Sequence, residues 1–524
     1  MTYDAIIVGG GAAGLTTAAH LAKDGRHILL LEKEPRCGGL VTSFQREGFT
    51  FDGGIRALEN AGALFPMLKN LGIDLPVVKN QVSIGLEDRV IHIEGEESFA
   101  SYGGLLKAFY PESSDEITDI IQELQEITRL MDIQYGIDNP LFLDFKQDRD
   151  YFIKEVFPWI FKYALSVSKV TAKNQPVIPY LENFTHNQPL IDIITQHFFT
   201  ATPAFFALSY FKLYQEYVYP QNGTGDFSQK MADFILAQGG EIRTGTSVTS
   251  FDLENHVVKP SDGESLAYRQ LVWAADQKSL YRLVDEKSLT APKTIKAVQE
   301  KQVFLSDKSG NDSVLTLYLM VDQDPGFFKA ISHGHFFYTP SRKGLSQAGD
   351  IPHQGTREDI FTWLEKFYAL TTYEISIPAL RNPDLAPPGK TGLIVSTLFD
   401  YGLTRTIDDQ GWGTDFKSHL TEQMIQTLED SIYPGLEASV IESFIATPLT
   451  LQQRSGSTEG AITGWSFTND VMPAESRLIR IANSVKTPLP DVFQAGQWTY
   501  SPSGFPVALI TGKLAADAVN KGLK

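Results

Sequence analysis

Tyr3-Asp4-Ala5-Ile6-Ile7-Val8-Gly9-Gly10-Gly11-Ala12-Ala13-Gly14, at the start of the chain, decides how the rest is read. Tyr3 to Val8 is a short apolar run suited to a buried strand, and it breaks at once into glycine. Leu15 to Ala22 is rich in Ala and Leu, both helix formers, and His27 to Leu31 is a second apolar run. Strand, helix and strand thus fall within about thirty residues, the span of a β-α-β unit. Gly9, Gly11 and Gly14 have the spacing of the dinucleotide fingerprint. The first glycine permits the tight turn, the second lets a pyrophosphate approach the backbone, and the third lets helix pack on strand. The pyrophosphate then sits on a helix N-terminus, where free N–H groups and the helix dipole stabilise it. Glu32 ends the second strand, 18 residues past Gly14, placed to accept hydrogen bonds from ribose hydroxyls. A glycine turn without a ligand is the plain alternative, but strand, helix and acidic residue are all in place.

The fingerprint alone does not separate FAD from NAD. Arg36-Cys37-Gly38-Gly39-Leu40-Val41-Thr42 and Gly48-Phe49-Thr50-Phe51-Asp52-Gly53-Gly54 follow the second strand. Their glycine pairs permit close backbone approach to an extended cofactor, which a nicotinamide enzyme would not need at this point. A third block closes the chain: Val492 to Gly496, Ser501-Pro502-Ser503-Gly504-Phe505-Pro506, then a helix from Val507 to about Val519. Its helix start carries partial positive charge and can stabilise electron density on a reduced flavin, although an ordinary docking helix would read the same way.

Bulk properties narrow the class. A chain of 524 residues suggests two to four folding units. Its 42% hydrophobic, 21% charged and 11% aromatic content is that of a globular protein. No run of 18 apolar residues exists to form a membrane-spanning helix, and because Met1 leads within two residues into a strand pattern no signal peptide is expected. One cysteine, Cys37, excludes an internal disulfide and fits a reducing compartment, so the expected location is cytoplasmic, with peripheral membrane contact as an option. A formal charge of -18 argues against a nucleic-acid groove. There is no metal-ligand spacing, nucleophile elbow or P-loop.

Elsewhere, Ser113 with Glu116 reads as a capping box opening an amphipathic helix to Met131, with Ile117, Ile120, Ile121, Leu124, Ile127 and Leu130 on its apolar face. Helix is expected around Phe227 to Ala237. Strand is expected over Glu241 to Phe251 with a turn at Thr244-Gly245, and over Leu271 to Ala275, Val314 to Val321 and Leu393 to Leu398.

The combined blocks resemble the phytoene desaturase, carotenoid isomerase and retinol saturase group of flavoproteins. The resemblance rests on the N-terminal block through Gly54, the Gly223 to Ala275 block and the C-terminal block. Thr447-Pro448-Leu449-Thr450 and Gly460-Ala461-Ile462-Thr463-Gly464-Trp465 add to it. It implies non-covalent FAD and an apolar, often polyisoprenoid, substrate beside the flavin. By position it assigns FAD contacts to Gly9, Gly11, Gly14, Glu32, Gly39, Val248, Gly496 and Val507. The neighbouring Ala12, Ala13, Lys33, Gly38, Leu40, Gly54, Ile55, Arg56, Ala274, Ala275 and Pro506 complete the candidate set. Arg56, Trp498 and Tyr500 are further expected near the isoalloxazine because they follow flavin-side glycines. Cys37 where relatives often have proline, and Ser503-Gly504-Phe505-Pro506 in place of a more glycine-rich turn, leave the exact reaction open.

The expected fold is α/β, a discontinuous FAD-binding Rossmann-type domain (1–80, 215–290, 470–524) with an inserted α+β substrate domain (81–214, 291–469). The expected chemistry is redox at carbon-carbon double bonds of a polyene or isoprenoid, carried mainly by the cofactor, with catalytic residues and electron acceptor unassigned. Nine of the 23 residues from His197 to Tyr219 are Phe or Tyr, which suits either a channel for an apolar chain or plain core packing. His197 reads as a structural histidine. Phe152 to Val170, with Trp159 and Lys162, reads as a buried helix or as one lying on a membrane surface. Two rivals share the N-terminal blocks or the fold: a flavin amine oxidase, and a prenyl-binding protein of the Rab GDP-dissociation-inhibitor type that carries no flavin. An amine substrate would need a carboxylate partner, and none occurs between His197 and Lys212.

Overall fold

The computed structural model describes residues 2–524. Two large sheets organise it. In chain order their strands are β1 Thr2–Val8, β2 Ile28–Leu31, β3 Val82–Leu86, β4 Arg89–Ile93, β5 Glu241–Arg243, β6 Val248–Asp252, β7 Val257–Pro260, β8 Leu266–Trp273, β9 Ser313–Val321, β10 His335–Thr339, β11 Tyr373–Ser376, β12 Thr391–Phe399, β13 Val440–Ala446 and β14 Val492–Gln494. The helices that matter here are α1 Ala12–Lys23, α2 Ser114–Tyr135, α3 Phe157–Ala172, α4 Ala204–Glu216, α5 Gly225–Ala237 and α6 Phe505–Gly522.

The first sheet runs β6-β7-β8-β1-β2-β5, with β14 paired to the end of β8. Its β14, β8, β1, β2 and β5 are parallel, while β6, β7 and β8 form an antiparallel excursion. Parallel strands are buried on both faces, which explains the uninterrupted apolar runs of β1 and β2. Alternate residues of β1 divide between two cores. Ala5 and Ile7 pack with α1, α5 and α6 through Leu21, Met231 and Leu509. Ile6 and Val8 pack with Phe251, Trp273 and Trp465 on the other side.

The second sheet is β13-β9-β12-β11-β10-β3-β4, antiparallel except for β10 beside β3. One face carries Leu315, Leu317, Val395, Ile375 and Phe336 into a core beneath the helices Arg357–Leu370 and Gly413–Ser431. The strand period of two sends the alternate residues to the opposite face. There Thr316, Ser396, Glu374, Phe337 and Ile84 form one cross-strand row. Tyr318, Ile394, Ser376, His335 and Val82 form the next.

Several local expectations shift. Helix α2 buries Ile117, Ile120, Leu124, Ile127 and Leu130 as its period requires, but the capping box does not form. Ser113 Oγ takes a hydrogen bond from Asn187 at 3.2 Å, and the Glu116 carboxylate takes one from the Thr185 hydroxyl. Tertiary donors have won over the local pair. The turn expected at Thr244-Gly245 does separate β5, ending at Arg243, from β6, which pairs with β7. The last helix begins at Phe505, and α5 at Gly225. The helix Pro292–Ser306 buries Val298 and Leu305 against Trp273 and Tyr281 in the first sheet's core. We propose that it goes with the cofactor half, moving the boundary at residue 290 to the end of that helix.

Candidate active site

The glycine turn after β1 is shaped by its neighbours. A methyl group on Gly14 would lie 1.9 Å from the Gly9 carbonyl oxygen, and one on Gly9 would lie 2.6 Å from that of Ala274. Both positions therefore exclude side chains for packing reasons. Gly11 differs, because a methyl there would meet nothing within 4 Å. The space above Gly11 is open, and α1 begins behind it with no side-chain cap. Its first amides are left for a ligand.

Other segments close around this turn. Gly38 donates to the Gly10 carbonyl at 2.8 Å, and Gly39 faces the Cα of Gly11. Gly54 is pressed so closely on the Leu40 carbonyl that a Cβ would lie 2.0 Å from its oxygen, and Ile55 donates to the same carbonyl at 2.9 Å. Gly496, at φ +98°, lies over Ala13 and donates to Thr511 Oγ1 at 3.0 Å. Ala274 donates to the Val8 carbonyl at 2.8 Å, with Ala275 following it. The Glu32 carboxylate accepts from the Gly10 amide at 2.6 Å and the Glu34 amide at 2.8 Å. Each oxygen keeps a lone pair for a hydroxyl. Burial lifts its pKa, while the two amides pull the other way. The Glu32 and Glu34 carbonyls hold Thr246 and Gly245, bringing the start of β6 and Val248 beside Glu32. Lys33 instead reaches the Gln453 carbonyl at 2.6 Å. Pro506 and Val507 lie in the first turn of α6, which also lacks a side-chain cap.

The loop after Gly54 leads to the second sheet. Asp52 is fully buried and accepts from Ser43 Oγ, Thr224 N, Thr224 Oγ1 and Tyr219 OH, all at 2.7 to 2.9 Å. Arg56, also buried, donates to the Asp52 carbonyl at 2.7 Å and to Ser396 Oγ on β12 at 2.9 Å. Trp498, expected near the isoalloxazine, is packed edge-on against Trp465, ring centroids 4.8 Å apart, in a core of the first sheet. The Tyr500 hydroxyl donates to the Ser476 carbonyl at 3.2 Å.

Facing the polar rows of the second sheet is an aromatic wall. Tyr214 of α4 lies 5.0 Å from Phe337, Tyr210 is 5.6 Å from Phe198, and Tyr217 stacks on His335 at 5.6 Å. His197 sits 4.0 Å from Phe198, and burial pushes its pKa down to about 4, so it stays neutral at ordinary pH. His335 bonds Glu374 through Nε2 at 2.8 Å and Asn80 through Nδ1 at 2.9 Å. Burial pushes the Glu374 carboxyl up, but the His335 hydrogen bond and the nearby Arg56 and Arg381 charges outweigh it and hold the carboxyl below its ordinary range. Glu374 occupies a central strand, yet its side chain is 34% exposed. That exposure opens inward, between sheet and wall, because the other face of the sheet is covered. Glu59, three residues after Arg56, joins the same region through a hydrogen bond from Tyr217.

The sequence profile described as Flavin containing amine oxidoreductase matches residues 12–520. The chain belongs to that family. This flavin oxidoreductase is 23% identical over 475 residues to the chloroplastic prolycopene isomerase of Daucus carota, covering 86% of this chain and 69% of the relative. It is 21% identical over 537 residues to the 1-hydroxycarotenoid 3,4-desaturase of Flavobacterium sp. (strain P99-3), covering 98% of each. The structure of wild-type putrescine oxidase bound to putrescine superimposes with a TM-score of 0.59 at 13% identity, covering 99% of each chain, a likeness of fold.

The flavin oxidoreductase is thus an FAD-dependent enzyme of the α/β class, and its residues fit that group. Besides the open space at Gly11, Ser503 Oγ before α6 and Arg56 Nε are buried polar atoms with no partner among the described residues. Such orphans are expected where a ligand completes the bonding. Cys37 packs on Gly10 beside Glu32, and burial pushes its thiol up to about 12, which makes it an unreactive filler. Asp52, Glu59, His335 and Glu374 were not singled out from sequence. The available signal was polar residues at alternate positions of strands that are otherwise apolar, as in Tyr373-Glu374-Ile375-Ser376.

Proposed function

We propose that this FAD-dependent oxidoreductase acts on carbon-carbon double bonds of an apolar polyene or isoprenoid lipid. FAD would lie along Gly9 to Gly14, with Glu32 and Val248 toward the adenosine. Gly38 to Leu40, Gly54 to Arg56, Gly496 and the Pro506-Val507 turn would surround the rest. When bound, FAD supplies two-electron redox chemistry. The observation that carries the substrate reading is the aromatic wall of Phe198, Tyr210, Tyr214 and Phe337. It continues into a small, mostly apolar cavity with Ile84, Leu86, Leu105 and Ile193 in its lining. A long apolar ligand gains about 25 cal/mol per square ångström of apolar surface removed from water. The carotenoid relatives support the same reading.

Access from a lipid surface fits it. Helix α3 exposes Phe157, Ile160, Phe161 and Leu165, with Phe161 73% and Leu165 79% exposed. Tyr163 of the same helix lies near Tyr135 and Tyr500, beside the C-terminal block. Among the described residues no helix is long and apolar enough to cross a membrane, so contact would be with the surface.

A second reading has its own observation. The carboxylate missing from the His197 to Lys212 segment is supplied by Glu374 and Glu59 from elsewhere in the chain, so an amine would find an anionic partner. Anaerobic mixing separates the two. Extended polyenes or prenyl lipids should perturb or bleach the flavin absorbance, and primary amines and polyamines should leave it unchanged. Bleaching by an amine with no response to any polyene would establish the amine reading instead.

A further inference from the structure

Glu59 is a carboxyl group with almost nothing to hold it. Its one hydrogen bond comes from the Tyr217 hydroxyl at a long 3.5 Å, and no cation answers it among the described residues. Its other oxygen points toward the start of the last helix, where a Cβ built on Gly504 would lie 3.7 Å from Oε2. Gly504 is the residue that caps α6, next to the orphaned Ser503 hydroxyl. On its other side Glu59 faces the aromatic wall, for its charge acts on Tyr210, Tyr214 and Tyr217. It stands between the helix end expected at the flavin and the wall expected at the substrate.

We propose that Glu59 is the acid-base catalytic residue of this site, exchanging a proton with the substrate carbon next to the one that exchanges hydride. The proposal rests on the reading of carbon-carbon redox chemistry. In the oxidative direction one carbon loses its hydrogen with the bonding pair, as hydride, to oxidised FAD, which gains two electrons. The adjacent carbon loses a proton to the Glu59 carboxylate, and the pair left behind becomes the second bond of the alkene. Glu59 then passes the proton to solvent water and returns to its carboxylate form. Saturation runs the same transfers backwards.

The electrostatic setting matches this task. Burial raises the Glu59 carboxyl to about 7, slightly offset by the Tyr217 hydrogen bond. The titratable groups facing it, Tyr210, Tyr214 and Tyr217, are themselves held well above their ordinary range by burial and stay neutral. A general acid-base group works best with its pKa near the operating pH. The carboxylate form needed for oxidation grows as pH rises through about 7.

The test compares wild type, Glu59→Gln and Glu59→Asp as flavin-loaded enzymes. First, the visible flavin spectrum of the resting enzyme is titrated across neutral pH. Wild type should show a transition near 7 that Glu59→Gln lacks. Second, the rate of anaerobic flavin reduction is measured with whichever substrate class bleaches the wild-type flavin. Glu59→Gln should lose about 100-fold or more with little change in KM and lose the alkaline rise, while Glu59→Asp recovers part of the rate. A Gln variant within about threefold of wild type, or one that keeps the same pH transition, overturns the proposal. Bleaching by amines alone overturns the substrate reading and leaves the Glu59 comparison to be read with the amine. If neither class bleaches the flavin, the spectral titration decides, and a transition shared by wild type and Glu59→Gln refutes the role.

Discussion

Gly11 and Gly14 stand three residues apart and place opposite demands on a side chain. At Gly14 the Gly9 carbonyl oxygen already occupies the place of a Cβ, so Gly14→Ala should separate helix from strand and destabilise the fold by roughly 2 kcal/mol or more. At Gly11 the space is open and φ is an ordinary -75°, so Gly11→Val should fold. Its side chain would fill the cofactor's path and weaken FAD binding at least about tenfold, some 1.4 kcal/mol. Purified Gly11→Val is therefore expected to hold less flavin than wild type at the same limiting FAD and, once stripped, to melt with flavin-stripped wild type, and full flavin occupancy in it would show that the cofactor lies elsewhere. Glu59 gives a second residue-scale prediction, this time in stability. The fold raises its pKa from 4.5 to about 7 and so binds the proton more tightly than the unfolded chain. That contribution is complete below 4.5 and is lost as pH rises through about 7. Glu59→Gln should match wild type in acid and exceed its stability by up to roughly 3 kcal/mol above neutrality. Denaturation curves whose separation does not change with pH would refute it.

At the level of elements, α3 is unusual. Its apolar residues at 157, 160, 161 and 165 recur at helical spacing and all are exposed, and exposed Ile153 precedes them in the π-helical turn Phe152–Val156. A helix apolar on its outer face normally meets a partner. Lys162, exposed at the flank of that face, is placed as in helices that lie in a lipid interface. Phe161→Asp combined with Leu165→Asp should cut sedimentation with phospholipid vesicles about tenfold or more while leaving flavin content intact. Equal sedimentation of variant and wild type would remove the lipid-surface role. The capping of α2 teaches the complementary lesson. Ser113 and Glu116 have the spacing of a capping box, but Asn187 and Thr185 bring competing donors from a segment about seventy residues away. Local patterns at helix ends are worth about 1 kcal/mol, well within the reach of one tertiary hydrogen bond.

On the scale of the whole molecule, Arg56 ties the segment around Gly54 to the second sheet. Its guanidinium joins the Asp52 carbonyl on the cofactor side to Ser396 of β12, while Lys33 reaches across to Gln453. Arg56→Met keeps the apolar stem but removes a buried donor from each acceptor, leaving the Asp52 carbonyl only the long 3.4 Å bond from Tyr318 and Ser396 Oγ only Thr316. A loss of roughly 2–3 kcal/mol is expected, together with weaker flavin retention, measurable as a lower melting temperature and faster FAD release on dilution. A variant as stable and as yellow as wild type would show that the link carries no weight. The cofactor fold was legible in the sequence because its signals are contiguous. One β-α-β unit, one glycine triplet and one acidic strand end lie within 32 residues, and their geometry is settled by backbone sterics and local hydrogen bonding. The aromatic segment was legible as a composition, but not its surroundings. Glu59 and Glu374 entered the wall only when strand register turned residue 374 to the inner face and the loop after Gly54 carried residue 59 to the helix end at Gly504. Side chains hundreds of residues apart acquire a common environment through sheet pairing and core packing, and no local periodicity encodes which carboxylate will share a cavity with which ring. The sequence by itself therefore determined the flavin fold, whereas tertiary structure alone decided which carboxylates and rings share the interior beside the second sheet.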